Sequence, residues 1–428
     1  MRLRNHSYCQ GIGLLFIFIF LLTACTSPPE TKPQPSPVVK PETESVEDGQ
    51  TITVVTPETA KNTPDVKSKY QIQTRLTDFH MLNESTGIAW GITNTSLRLY
   101  LTEDYGETWV NISPASNVKF TEKLVYGRDL EFTDRKNGWI VRSGRGSTET
   151  MLLNTTDGGQ EWKLSSLPNS GEVTAISFTS SRNGWVMTAG ETSPGSQEKL
   201  LYRTNDNGET WKTVMQNSEY LASRVPGTII PRTGSITSMT FADANTGFAT
   251  VKEMRDSKLY ATKDGGFKWK SLDQVFHDDE MNKFQSFRPG APEFLGSSAG
   301  VWIPVTCYVG DKIKYMGYFS KNGGESWELV SFPLNPKTLD GNIAPIFRRF
   351  NEGWSVVDGI VYTTNDMGKT WTAYERDPGL AKNLERYPII SKMQFASPDV
   401  GWMLVETADE SRSRLLLSMD GGATWRVR

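Results

Sequence analysis

Thr102-Glu103-Asp104-Tyr105-Gly106-Glu107-Thr108-Trp109 decides the fold, because the pattern Ser/Thr-x-Asp-x-Gly-x-Thr-Trp returns six more times with local variation. The further copies are Thr155–Trp162, Thr204–Trp211, Thr262–Trp269, Ser320–Trp327, Thr364–Trp371 and Ser418–Trp425. Successive closing tryptophans stand between 44 residues (Trp327 to Trp371) and 58 residues (Trp211 to Trp269) apart, the spacing of propeller blades. A short carboxylate in a turn accepts bonds from nearby backbone N–H groups, and glycine takes the positive φ that other residues resist. The flanking hydroxyl adds a local bond, and the tryptophan opens the next strand and packs on the sheet.

The roles are therefore structural at Asp104, Asp157, Asp206, Asp264, Asn322, Asp366 and Asp420, and at Trp109, Trp162, Trp211, Trp269, Trp327, Trp371 and Trp425. One carboxylate per turn is too few for a calcium cage, and Asn322 keeps the acceptor while losing the charge. The repeat resembles the Asp-box, or bacterial neuraminidase repeat.

A second signal precedes each box: a strand ending in an apolar residue, a polar turn, then Gly with an apolar partner. Phe132 leads to Gly138-Trp139, Phe178 to Gly184-Trp185, Phe241 to Gly247-Phe248, and Phe395 to Gly401-Trp402. Weaker copies join Leu82 to Gly87-Ile88, Phe294 to Gly300-Val301, and Phe347 to Gly353-Trp354. Each unit reads strand A, turn, strand B, loop, strand C, box, strand D. Residues 70–428 number 359, about 51 per unit, enough for four short strands. The expected fold is all-β, a seven-bladed β-propeller of four-stranded antiparallel blades. Ring closure is left between whole-blade packing and a strand donated from near Tyr70-Gln71-Ile72-Gln73.

Upstream, Arg2 and Arg4 precede an apolar run from Ile12 to Leu22, the charged and apolar regions of a signal peptide. That run is about half the length that spans a bilayer as a helix. It ends in Leu22-Thr23-Ala24-Cys25, which looks like a bacterial lipobox. Residues 1–24 are read as a lipoprotein signal peptide, Cys25 as the acylated residue, and 25–69 as a disordered tether rich in Pro, Thr, Ser, Glu and Lys. Thr51-Ile52-Thr53-Val54-Val55 is left within the tether. The expected location is extracytoplasmic, at the cell membrane.

With 46 basic and 49 acidic residues, a formal net charge of −3, the chain lacks the basic footprint of a nucleic-acid binder. Its three cysteines are Cys9, Cys25 and Cys307, and its histidines His6, His80 and His277, so no zinc-ligand spacing exists and no metal or cofactor is expected. Cys307 reads as an apolar filler.

Function is sought on the face opposite the boxes, where the B–C loops and D–A connections vary most, near 214–234, 273–292, 329–345 and 374–390. Candidate partner contacts are Arg224, Arg232, His277, Phe287, Arg288, Arg376, Arg386 and Tyr387, with Phe276 and the acidic trio Asp278-Asp279-Glu280 beside them. Arginine and aromatic side chains are favoured interface anchors.

The paired Phe…Gly-Trp and box signals over residues 70–428 resemble the photosystem II assembly/stability factor group of Asp-box propellers. The resemblance implies a non-catalytic scaffold with a protein partner, and the chain is expected to be a monomer. The alternative is a glycan-binding protein or a glycoside hydrolase of the sialidase-like propeller class. A sialidase carries a Phe/Tyr-Arg-Ile-Pro motif before its first box; none precedes Thr102, and Phe287-Arg288-Pro289-Gly290 is only an echo.

Overall fold

The computed structural model describes the backbone of Thr53–Val55 and residues 75–428, apart from 115–119, 121–122, 144–148, 168–170, 218–227, 255, 311 and 337–340. The Gly-aromatic signal becomes an A–B pairing. Phe132 lies opposite Gly138, Phe178 opposite Gly184, Phe241 opposite Gly247, Phe347 opposite Gly353 and Phe395 opposite Gly401. The glycine makes room for the ring across the ladder: a β-carbon at Gly247 would sit 2.6 Å from Phe241. Two weaker copies shift register. In blade one Met81, not Leu82, faces Gly87, and in blade five Phe294 faces Val301 rather than Gly300.

Seven antiparallel sheets follow in chain order, each A-B-C-D, so the chain is a seven-bladed β-propeller. Strand A opens at Asp78, Leu130, Glu172, Ser235, Ser286, Ile343 and Ile389 in blades one to seven. It is the innermost strand, and the A strands of blades two and three, three and four, six and seven, and seven and one are neighbours. Blade five splits its A strand into Ser286–Pro289 and Glu293–Phe294, because Pro289 and Pro292 lack the N–H a ladder needs. Within the stretch read as tether, Thr53–Val55 is a strand running parallel to the outer strand Thr108–Asn111 of blade one, with Val54 opposite Trp109. The tether reading does not hold for these residues, since an outer strand presents unpaired backbone groups that a β-branched run can meet.

Neighbouring blades join through a repeated aromatic sandwich. Trp139 of blade two stacks on Phe178 of blade three with centroids 3.8 Å apart, and Phe178 meets the box residue Trp211 edge-on at 6.2 Å. Trp185 with Phe241 and Trp269, and Trp354 with Phe395 and Trp425, repeat it. Such pairs add roughly 0.5–1.5 kcal/mol each beyond the area they bury.

Blade seven has four strands of its own, ending at Arg426–Val427, and among the described residues no strand of another blade joins it. Trp402 of blade seven, Met81 and Trp109 form the closing joint in one buried cluster. Polar groups reinforce it. Met81 N–H donates to Gln394 Oε1 and Gln394 Nε2 donates to Met81 O, both at 2.9 Å. Arg75 pairs with Glu406 and Lys392 with Asp78. Tyr70 to Gln73 lie outside the described residues.

Candidate functional site

All seven boxes close on themselves. In the third, Thr204 Oγ1 donates to Asp206 Oδ1 at 2.7 Å, Thr210 N–H donates to the same oxygen at 3.0 Å, and Gly208 N–H donates to Thr204 Oγ1 at 2.9 Å. The hydroxyl and amide of Thr210 hold the Asp206 carboxyl below the usual carboxylate range. In the fifth box Asn322 Oδ1 accepts from Ser326 N–H at 3.0 Å and its Nδ2 donates to Ser326 Oγ at 2.9 Å, so the amide keeps the turn. The glycine of each box has positive φ, from +73° at Gly106 to +100° at Gly422. The preceding blade also docks here: Trp139, Trp185 and Trp354 donate from Nε1 to the carbonyls of Asn207, Gly265 and Gly421. The boxes thus serve turn and joint together, and their carboxylates are committed to the fold.

On the opposite face the candidates separate. Arg288, Arg376 and Arg386 are exposed, with the Arg288 guanidinium 5.8 Å from the Tyr308 ring centroid. Arg376 precedes helix α1 (Pro378–Arg386) and Arg386 ends it; Asp377 caps the helix by accepting from Gly379 and Leu380 N–H. Exposed apolar side chains share this face at the B–C hairpins, Met254 at 89% and Val309 at 49% exposure. His277 is exposed and bonds Asp256 and the Val275 carbonyl, both at 3.0 Å. Burial lowers its pKa, but these two partners outweigh it and the net shift is upward.

Two expectations of an accessible anchor fail. Tyr387 is 4% exposed, packed beneath Arg414 at 4.5 Å, and Phe276 is 2% exposed, edge-on to Tyr318 at 5.3 Å. Phe287 is half-buried beside Phe276. An aromatic side chain in a connection gains more from covering a blade edge than from facing water. In the acidic trio, Asp278 accepts from the Tyr318 hydroxyl and Glu280 pairs with Lys283. Arg232 is half-buried, and its carbonyl accepts from buried Lys199. Arg224 lies outside the described residues. Cys307 is fully buried, its thiol pushed up to about 12 by burial.

A second feature lies on the axis, where residues from all seven A strands line a cavity of about 780 Å³. The residue before each A-strand aromatic, or before Met81 in blade one, faces it: His80, Glu131, Ser177, Thr240, Glu293, Ile346 and Gln394. Three of these residues, Glu131, Ser177 and Gln394, bridge neighbouring inner strands. Glu131 Oε2 accepts from Phe178 N–H at 3.0 Å and Ser177 Oγ from Phe241 N–H at 2.9 Å, as Gln394 does from Met81. Glu293 Oε2 accepts from Trp302 Nε1 at 3.2 Å. His80 stacks on Tyr126 at 3.7 Å. Lys392 pairs with Asp78 at 2.9 Å, Arg128 with Asp129 at 2.7 Å, and Arg348 with Glu352.

Desolvation sets the protonation of this cavity. It pushes Glu131 up to about 8, against the Phe178 N–H, and raises Glu293 against Trp302 and Lys392. It holds His80 well below its ordinary value, with Lys392 adding to the effect. The ring lies on no variable loop, and the position before each A-strand aromatic marks it in the sequence. Among the described residues no three His, Cys, Asp or Glu side chains gather as a metal site, and no helix is long and apolar enough to cross a membrane.

The sortilin/Vps10 family model (sortilin, neurotensin receptor 3) matches residues 97–227, less than a third of the chain. Two curated relatives match more of it. The chloroplastic photosystem II stability/assembly factor HCF136 of Arabidopsis thaliana is 26% identical over 65% of this chain and 62% of its own, so less than two thirds of that relative is spanned. The photosystem II assembly lipoprotein Ycf48 of a Synechococcus strain is 25% identical over 70% of this chain and 74% of its own. Among solved structures, YCF48 from Cyanidioschyzon merolae superposes with a TM-score of 0.50 at 20% identity, over 81% of this chain and 96% of that one. A xyloglucanase from Xanthomonas campestris superposes with a TM-score of 0.52 at 12% identity, over 82% of this chain and 54% of that one. Both structural likenesses concern the fold alone. By its repeats and its relatives the chain resembles the photosystem II assembly group of propellers.

Proposed function

We propose that this protein is a non-catalytic propeller, held at the outer side of a bacterial cell membrane by lipidated Cys25, that binds a protein partner and assists its assembly or stability. The observation that carries this reading is the pair of curated relatives, both named as assembly factors, one of them as a lipoprotein. The lipobox-like end of the apolar run, Leu22 to Cys25, supports the anchor. The loop face supports the partner site: exposed Arg288, Arg376 and Arg386 stand on it with solvent-exposed Met254 and Val309, a mixture of cationic and apolar groups suited to protein contact. The opposite face keeps its carboxylates inside its own turns.

Cross-linking the anchored protein in its native membrane tests the reading. A reproducible protein partner is expected, with recovery reduced at least tenfold when Arg288, Arg376 and Arg386 are replaced together by Glu. Recovery no higher than from a control lipoprotein rejects the scaffold. Mass spectrometry of the mature N-terminus tests the anchor, and an unmodified Cys25 thiol removes it.

A further inference from the structure

We infer that the outer edge of blade one is a strand-docking site for a protein partner, covered by the chain's own Thr53–Val55 until an extended, uncharged, β-branched segment of the partner takes its place. An outer strand presents unpaired N–H and C=O groups, and proteins guard such edges with charge, lysine above all. Five of the seven blades follow that rule directly after the box tryptophan, with Lys163, Lys212, Lys270, Glu328 and Arg426 in blades two, three, four, five and seven, all exposed. Blade six has Thr372 there, but its outer strand is only Thr372–Ala373. Blade one has Val110, in a four-residue outer strand, Thr108–Asn111, that carries no charge.

This unguarded edge is also the one that a strand meets. Thr53 lies opposite Thr108, Val54 opposite Trp109 and Val55 opposite Val110, in parallel. Among the described residues no other blade carries an added outer strand, and strand D is the last of its sheet in blades two to seven. Burial follows the same division. Thr108 and Val110 are half-buried, whereas the residues at both positions in the other six blades are exposed. A three-residue cover offers few main-chain bonds, and a parallel ladder is slightly the weaker kind per residue. It can therefore be exchanged for a longer strand. Strand addition takes its affinity from main-chain bonds and its selectivity from side chains, so the occupant is defined by the chemistry that Thr53-Val54-Val55 already displays: extended, β-branched and uncharged. The site lies on the rim, because strand D is the outermost of each blade's own four.

The test is fluorescence anisotropy of the full chain with a labelled Thr-Ile-Thr-Val-Val peptide, the sequence of residues 51–55. Thr53→Pro, Val54→Pro and Val55→Pro together remove the N–H groups of the cover and should strengthen peptide binding at least tenfold over the parent, because the resident strand no longer competes. Val110→Lys in that background, the residue that three other blades hold at this place, should weaken it at least tenfold. Hydrogen exchange on adding peptide should slow within 108–111 and at no other outer strand. No saturable binding at millimolar peptide, equal binding with and without the cover, or binding indifferent to Val110→Lys overturns the inference. So does a concentration-dependent dimer of the uncovered chain without peptide, which assigns the edge to a second copy. Replacing Arg288, Arg376 and Arg386 by Glu leaves peptide binding unchanged, and a loss there would place the peptide on the loop face instead.

Discussion

Trp185 of blade three lies flat on Phe241 of blade four, ring centroids 3.8 Å apart and 3° from parallel, while its indole nitrogen donates to the Gly265 carbonyl at 2.9 Å. One side chain thus couples the B strand of one blade, the A strand of the next and that blade's box. The joint is where ring stability concentrates.

Phe241→Ala empties the centre of this sandwich and should destabilise by about 3–5 kcal/mol, read by denaturant unfolding. Trp185→Phe keeps most of the stacking and loses the indole bond, at a cost of about 1–2 kcal/mol. The corresponding Nε1 of Trp402, at the closing joint, has no acceptor among the described residues, so Trp402→Phe should cost less than Trp185→Phe. Equal losses at the two sites contradict the assignment of a hydrogen bond to one joint alone.

Gly324 is bound to glycine twice over. Its φ is +87°, and a β-carbon there would stand 2.6 Å from Phe248 of the preceding blade. Gly324→Ala should destabilise by about 1–3 kcal/mol, through backbone strain and the displaced ring together. A thermal shift within a degree of the parent would count against the close approach.

Asp206 shows how the boxes respond to acid. Its native carboxyl sits below the usual range, chiefly through the Thr210 hydroxyl and amide. The unfolded chain therefore takes up the proton first as pH falls. The stability it supplies is complete above the unfolded pKa of about 3.9 and disappears as pH drops through the lower native value. Asp206→Asn should flatten the acid limb of the stability curve, and Asn322→Asp should steepen it. Urea midpoints between pH 2 and pH 6 measure both.

His277 titrates in the opposite sense. Its native pKa is raised by Asp256 and the Val275 carbonyl against the effect of burial, so its contribution is complete below about 6.5 and fades as pH rises through the higher native value. NMR titration of the ring should give a midpoint above 6.5, moving down in Asp256→Asn. A midpoint that ignores this substitution dissociates the pair.

Lys199 is fully buried, with its ammonium facing the carbonyls of Gln197, Pro231, Arg232 and Gly234 at 2.9–3.1 Å. Lys199→Met leaves those acceptors without a donor, at about 1–3 kcal/mol for each that water cannot reach. Hydrogen exchange should show the connection around 228–234 opening before the blades do. Uniform protection in the variant would assign the cage no role in holding that connection.

What the sequence determined by itself is what short-range chemistry controls. Asp206 reaches the hydroxyl of Thr204 and the amide of Thr210 within one turn, and Phe241 meets Gly247 across one hairpin, so the repeat carries its strand order and blade number in every copy. Tertiary structure decided the rest. It turned Tyr387 and Phe276 inward, because burial depends on which blade edge each connection crosses. It brought Trp402 and Gln394 of the last blade against Met81 of the first at the closing joint. It also brought Glu131 and Glu293, far apart along the chain, to a common cavity, because only the curvature of seven packed sheets aims those inner strands at a single axis.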